Sequence, residues 1–235
     1  FGLLVAAWFA AEWIARGIVE RTIREQVVTN LQLPADQPVD VEVDGAVLPQ
    51  LIAGRLDEIR LASDDVVFGP LTGDVTAEAR GVAVRGDAVA DAASATVTLD
   101  EQNLRALMAT VDGFPADTVG LEAPNVTMST DLRLFAATIP VGVALTPSAA
   151  ENGDFVLTPA SVHIAGADLS ADDLRRQFGI ASNLVLRDWD VCVREYLPAG
   201  VTLTGVHVDG DRLVAGFDID GRIGADPALL ENGRC

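Results

Sequence analysis

The chain has 235 residues, 49% of them hydrophobic, enough to bury a sizeable core as a single domain. Its 35 Asp and Glu stand against 16 basic residues, every one of them Arg. The resulting net charge of −19 repels a phosphate backbone, which argues against nucleic acid as a partner and against anionic surfaces, except locally at Arg16, Arg21 and Arg24.

Phe1 to Ala11 is an apolar run, and from about Trp8 to Leu33 the pattern predicts one long helix, without Pro and with Gly17 as its single Gly. Glu12, Arg16, Glu20 and Arg24 stand four residues apart, each Glu before its Arg, the order that pairs better, at about 0.2–0.5 kcal/mol each. That ladder predicts a solvated stripe. Ile14, Ile18, Ile23 and Val27 are then expected to face strands that enclose the helix. The apolar run is too short to span a bilayer, which needs about 20 residues. Two readings stay open for it: a helix start that packs on the protein, or residues 1–11 as the remnant of an export signal or anchor ahead of a single domain over 12–235.

Pro34 and Pro38 end the helix, and strict alternation from Val39 to Asp44 predicts a strand with one wet face. Leu48 to Gly54 reads as a short helix with Pro near its start and Gly at its end. Strands are expected over Leu56–Ala62, Val66–Phe68, Val75–Val84 and Ala93–Leu99. Asp100 then caps a helix carrying Leu104, Leu107 and Met108, and Ser170 caps a similar one ending at Phe178-Gly179. The two junctions either share only local chemistry or repeat a strand-helix unit. Between them short strands are predicted over Leu121–Met128, Leu132–Phe135, Ile139–Leu145, Phe155–Leu157 and Ser161–Ala165. Leu184–Val193 follows, and Asp209-Gly210-Asp211 joins Val201–Val208 to Leu213–Ile219 as a hairpin. About ten strands against one long and three short helices predict an α+β fold with an antiparallel sheet.

Motifs for catalysis are missing from the sequence: it holds no His-Glu-x-x-His, no Gly-x-Ser-x-Gly and no Gly-rich phosphate loop. His163 and His207 each sit between apolar strand residues and so point to the wet face. Asp218-Ile-Asp220-Gly221 is a fragment of a calcium loop without its closing Glu, and no metal ligand set is assigned. Cys192 and Cys235 read as a disulfide, with two free buried thiols as the alternative. No catalytic residue is named.

The order and spacing of several stretches resemble the LmeA family of actinobacterial envelope phospholipid-binding proteins. These are the apolar segment entering a long helix, Val41-Glu-Val-Asp-Gly45, Leu48-Pro-Gln-Leu-Ile-Ala-Gly-Arg-Leu-Asp57, Gly81-Val-Ala-Val84, Ala95-Thr-Val-Thr-Leu-Asp100, and Val191-Cys-Val-Arg-Glu-Tyr-Leu-Pro-Ala-Gly-Val201 with a terminal Cys. One departure is Gly45-Ala-Val-Leu-Pro49, where family members often carry a Gly-Phe-Pro-Phe-like stretch. The resemblance implies an antiparallel sheet wrapped around the N-terminal helix, similar to the tubular lipid-binding domains, with short additional helices and an enclosed apolar cavity. It implies non-catalytic binding of phosphatidylinositol and its mannosides in the cell envelope, in support of mannan elongation of lipoglycans. The ligand is then a phospholipid or glycolipid and there is no cofactor; the membrane is met through the N-terminal segment. An exported enzyme acting on envelope lipids or glycans is the alternative. Candidate cavity walls, chosen from apolar strand faces and inner helix faces, are Val41, Val43, Leu48, Leu51, Ile52, Leu104, Met108, Phe135, Phe155 and Phe178.

Overall fold

The computed structural model of the chain describes residues 2–31, 33–68, 71–86, 88–134, 137–164, 167–170, 176 and 187–235. Helix α1 (Gly2–Asn30) leads into β1 (Asp40–Val43), α2 (Val47–Ala53), β2 (Arg55–Phe68), β3 (Leu71–Ala83), β4 (Ala92–Leu99) and α3 (Glu101–Met108). Strands β5 (Gly120–Glu122), β6 (Asn125–Leu134), β7 (Ala137–Ala149), β8 (Phe155–Ile164), β9 (Ala167–Ser170), β10 (Trp189–Val191), β11 (Val201–Asp209) and β12 (Arg212–Ile219) follow. The fold is α+β, and every strand pair is antiparallel.

Two sheets form. The first runs β1-β2-β3-β4-β12-β11, and the second runs β10-β8-β7-β6-β5 with β9 on β8. The β11–β12 hairpin turns at Gly210, whose φ of +61° only Gly adopts without strain. It inserts β12 beside β4, so the last third of the chain completes the sheet begun by the first third. Strands read as short because of internal prolines are continuous: β7 passes through Pro140 and Pro147, and β8 through Pro159. At Pro159 the register with β7 shifts between Ala144 and Leu145, the irregularity that accommodates a residue without a ladder N–H. Leu121 to Met128, expected as one strand, is instead the β5–β6 hairpin, folded at Ala123-Pro124. The helix expected after Ser170 lies outside the described residues.

Two separate apolar cores result. The larger lies between the β4–β12–β11 part of the first sheet, α3 and the second sheet, and holds Leu104, Met108, Leu145, Leu157 and Leu213 at full burial. The Asp100 carboxylate accepts the Asn103 N–H at 2.7 Å and caps α3 as its position in the sequence requires. The smaller core gathers Ala15, Val39, Val41, Val43, Val47, Leu56 and Ile59 where α1 and α2 cover β1 and β2. Gly54, at φ +82°, closes α2 in the left-handed cap geometry. Cys192 and Cys235 are bonded, with Cα atoms 6.0 Å apart, and the terminal segment lies along 197–200 through Ala199 N–H to Glu231 O (2.7 Å) and Gly233 N–H to Leu197 O (2.9 Å).

The faces of α1 differ from those expected. Ala15 is buried, and Val19, Ile23, Val27 and Val28 pack on the smaller core, but Ile14 and Ile18 are 54% and 60% exposed. The charged ladder is docked rather than wet. The Arg16 guanidinium donates to Val43 O and to Gly45 O (2.5 Å), and Arg24 Nε donates to Val39 O (2.6 Å). The Glu12 carboxylate accepts from Val47 N–H (2.5 Å) and Leu48 N–H (2.9 Å). The reason is the free edge of β1, the terminal strand of its sheet, whose carbonyls have no neighbouring strand to bond. Helix and strand run antiparallel, and their spacings agree: Arg16 to Arg24 spans about 12 Å of helix and Val39 to Val43 about 13 Å of strand. One side of the helix therefore feeds the core while the ladder, turned by less than a right angle from it, seals the edge.

Candidate functional site

Strand alternation divides the first sheet into two faces of different character. On one face two cross-strand rows can be followed through the register. Val41, Leu61, Ala77, Ala95 and Phe217 form the first; Val43, Ile59, Ala79, Ala93 and Ile219 form the second. Each begins buried beneath α1, and the first ends buried in the larger core at Phe217. Between the two cores the side chains shrink to alanine. Ala77 and Ala79 of β3 and Ala93 of β4 belong to neither core and are half-buried. The result is an apolar strip with a low floor, walled on one side by α1 and its core and on the other by the larger core.

The described residues among the predicted walls divide between the two cores, apart from Ile52. Val43 is buried in the smaller core, Leu48 and Leu51 pack half-buried against it, and Val41 lies at the α1 end of the first row. Leu104, Met108 and Phe155 belong to the larger core. Phe155 also lines a small apolar void there of about 50 Å³. Ile52 is 73% exposed because α2 packs Val47 and Gln50 inward and turns Ile52 out. Phe135 and Phe178 lie outside the described residues. The alanines of β3 and β4 are not among the large apolar side chains expected as walls, and their readable signal is the alternation of Ala77, Ala79 and Ala93, Ala95 at the centre of a sheet.

The opposite face is polar. Its rows are Asp40–Ala62–Thr76–Thr96 and Glu42–Arg60–Glu78–Ser94, and they share the lining of an open groove of about 680 Å³ with Val41, Leu61, Ala77 and Ala95 of the first apolar row, with Glu20 and Arg24 of α1 at its border. Arg60 pairs with Glu58, and Arg80 pairs with Glu58 (3.4 Å) and Glu78 (2.5 Å), while Asp40 and Glu42 add further negative charge. This face suits water or a hydrophilic group, not hydrocarbon. Two carboxylates are held below the ordinary range. The Leu48 and Val47 amides lower Glu12, with Arg16 adding to the effect, and the hydrogen bonds of Arg222 bring Asp220 to about 2. Both stabilise turns rather than converge on a cleft. His163 and His207 are exposed on their strands. Among the described residues no three His, Cys, Asp or Glu are placed to hold a metal ion, and no helix is long and apolar enough to cross a membrane.

A long helix seals the edge of an antiparallel sheet, and an alanine-floored apolar strip lies between two cores. The model of the LmeA-like phospholipid-binding family matches residues 6–217, and the chain belongs to that family. The match spans α1 from residue 6, the first row of the strip, the second row as far as Ala93, and the β11–β12 hairpin almost to its end. No curated protein and no solved structure matches the chain.

Proposed function

We propose that this protein binds phospholipid without chemically altering it and holds an acyl chain along the strip formed by Ala77, Ala79, Ala93 and Ala95. The observation that carries the reading is the interruption of the apolar face by small, half-buried side chains between two complete cores, in a chain of the phospholipid-binding family. Each methylene taken from water stabilises the complex by about 0.8 kcal/mol, so the tails supply most of the affinity. The head group then lies beside the strip. Within this proposal the lipids are phosphatidylinositol and its mannosides, the site of action is the cell envelope, and the role is to support mannan elongation of lipoglycans as a lipid holder or carrier.

Protein purified without detergent should release phospholipid into organic solvent, and native mass spectrometry should show a lipid-sized mass increment. A fluorescent phospholipid should exchange into it with little dependence on salt, since ion pairs to an acidic protein contribute little. Absence of both extracted lipid and uptake would remove the proposal.

A further inference from the structure

The two ends of the alanine strip differ in chemistry. Two residues on from Ala79, a side chain at Gly81 would run into the Arg55 guanidinium and the Asp91 carboxylate, so that ion pair lies over the strand there. Its two side chains are 50% and 65% exposed. In the other direction Ala77 and Ala95 give way to Val75 and Val97, and Ala95 faces Phe217 across the ladder, about 5 Å away. Alternation places Val97, Ala215 and Phe217 on the same face of the sheet as the alanines. Behind Phe217 lies the void of about 50 Å³ in the larger core, with Val97, Leu203, Ala215 and Phe217 on its sheet side and Leu107 and Phe155 across from them. Every side chain that lines it is apolar, so it offers water no hydrogen bond and stays dry. The strip and the void therefore share one sheet face, and Phe217, the bulkiest side chain at their boundary, is 9% exposed. Its partner on β11 is Leu203, and the register of β11 shifts between Leu203 and Gly205, where a bulge loosens the ladder beside the ring.

We infer that Phe217 sets the length of acyl chain the protein accepts, its ring standing as a stop between the strip and the void. The inference rests on the phospholipid reading of the strip and adds to it the direction of the ligand and the residue that limits its length. An amphiphile on the strip has one favourable direction. Its polar end belongs at the Arg55–Asp91 pair, where charges already meet water, and its methyl end belongs at Phe217, where the surroundings are wholly apolar. The reverse would press a charged head group against Val97 and Phe217 without a partner, which is costly. Methylenes up to the ring leave water and add to the affinity; those beyond it must turn back to solvent and add nothing. A smaller side chain at position 217 joins the void to the strip and moves the limit outward.

The test uses the full chain and a series of saturated phosphatidylcholines that differ only in chain length, each displacing the same fluorescent phospholipid. For the unmodified protein, affinity should rise about fourfold for each methylene added to the chain in the strip, up to a limit, and then level off. Phe217→Ala should move that limit to longer chains while circular dichroism stays unchanged, and the milder Phe217→Leu should move it the same way by less. Adding Ala215→Leu, which fills the void, should return the limit to its original place. An unmoved limit in either folded variant overturns the inference, as does a gain that survives Ala215→Leu. A second measurement needs no variant. A phosphatidylcholine with a diazirine at its chain terminus should label Phe217 and Val97 of the unmodified protein, and labelling at Arg55 or Asp91 instead overturns the direction and the stop together. Failure of the unmodified protein to take up phospholipid of any length removes the phospholipid reading itself, a result distinct from uptake with an unmoved limit.

Discussion

Arg16→Ala should destabilise the protein far more than Ile18→Asp, although a helix read from its sequence predicts the opposite. Arg16 donates to two carbonyls of the β1 edge, Val43 O and Gly45 O, and lies 3.6 Å from Glu12 and 4.0 Å from Glu20. Hydrogen bonds from a charged donor contribute about 1.5–3 kcal/mol each, and the ion pairs, being near the surface, add under about 1 kcal/mol. With a third of the side chain in water, the loss is about 2–3 kcal/mol for the set. Ile18 is 60% exposed, and replacing it should change stability by no more than about 0.5 kcal/mol. In urea, at a slope of about 2–3 kcal/mol per molar, Arg16→Ala should lower the midpoint by about 1 M and Ile18→Asp by no more than about 0.2 M. Equal losses, or a larger loss at Ile18, would refute the docked ladder.

Protonating Glu12 should loosen the same contact. Its pKa is depressed in the folded protein, so its stabilisation is complete above the ordinary carboxylate range and is lost as pH falls through the lowered value; the acid limb of the stability curve should flatten in Glu12→Gln. Reducing the Cys192–Cys235 bond opens a 43-residue loop, for which chain entropy gives about 4 kcal/mol, and denaturation with and without reductant measures it. Ala79→Leu, placed on the floor of the half-open strip, should leave the unfolding free energy within about 0.5 kcal/mol of its original value but reduce the phospholipid recovered per chain. Unchanged lipid content in that variant would move the binding site elsewhere.

Much of the fold could be read directly. The alternation of residues 39–44, the Asp100 cap, Gly54 and the Gly210-Asp211 turn each act within a few residues, and all are where local chemistry puts them. What escaped was whatever depends on a distant partner. The ladder of α1 carries the same four residues whether it faces water or a strand edge, and only the unpaired carbonyls of β1, supplied 15 residues beyond Arg24, decide between them. The site followed the same rule. Leu104 and Met108, expected as walls, are fully buried in the larger core, whereas the proposed place for a guest is marked by small side chains whose neighbours in space are set by the pairing of β3 with β4.

Because the two cores on the first sheet do not merge, the molecule has no single cooperative interior. The unit of α1, β1 and α2 is joined to the rest through β2 and through the contacts of α2 with Val84 and Arg85, while the larger core contains α3, the second sheet and the region of the disulfide. Opening that small unit costs only part of the global unfolding free energy. Amide hydrogens of β1 and α2 should therefore exchange well ahead of those in β7 and β8, and each such opening widens the alanine strip from the α1 side without disturbing its far wall. A guest too bulky to thread lengthwise could then enter sideways, at a rate set by the grip of two arginines on the edge of one four-residue strand.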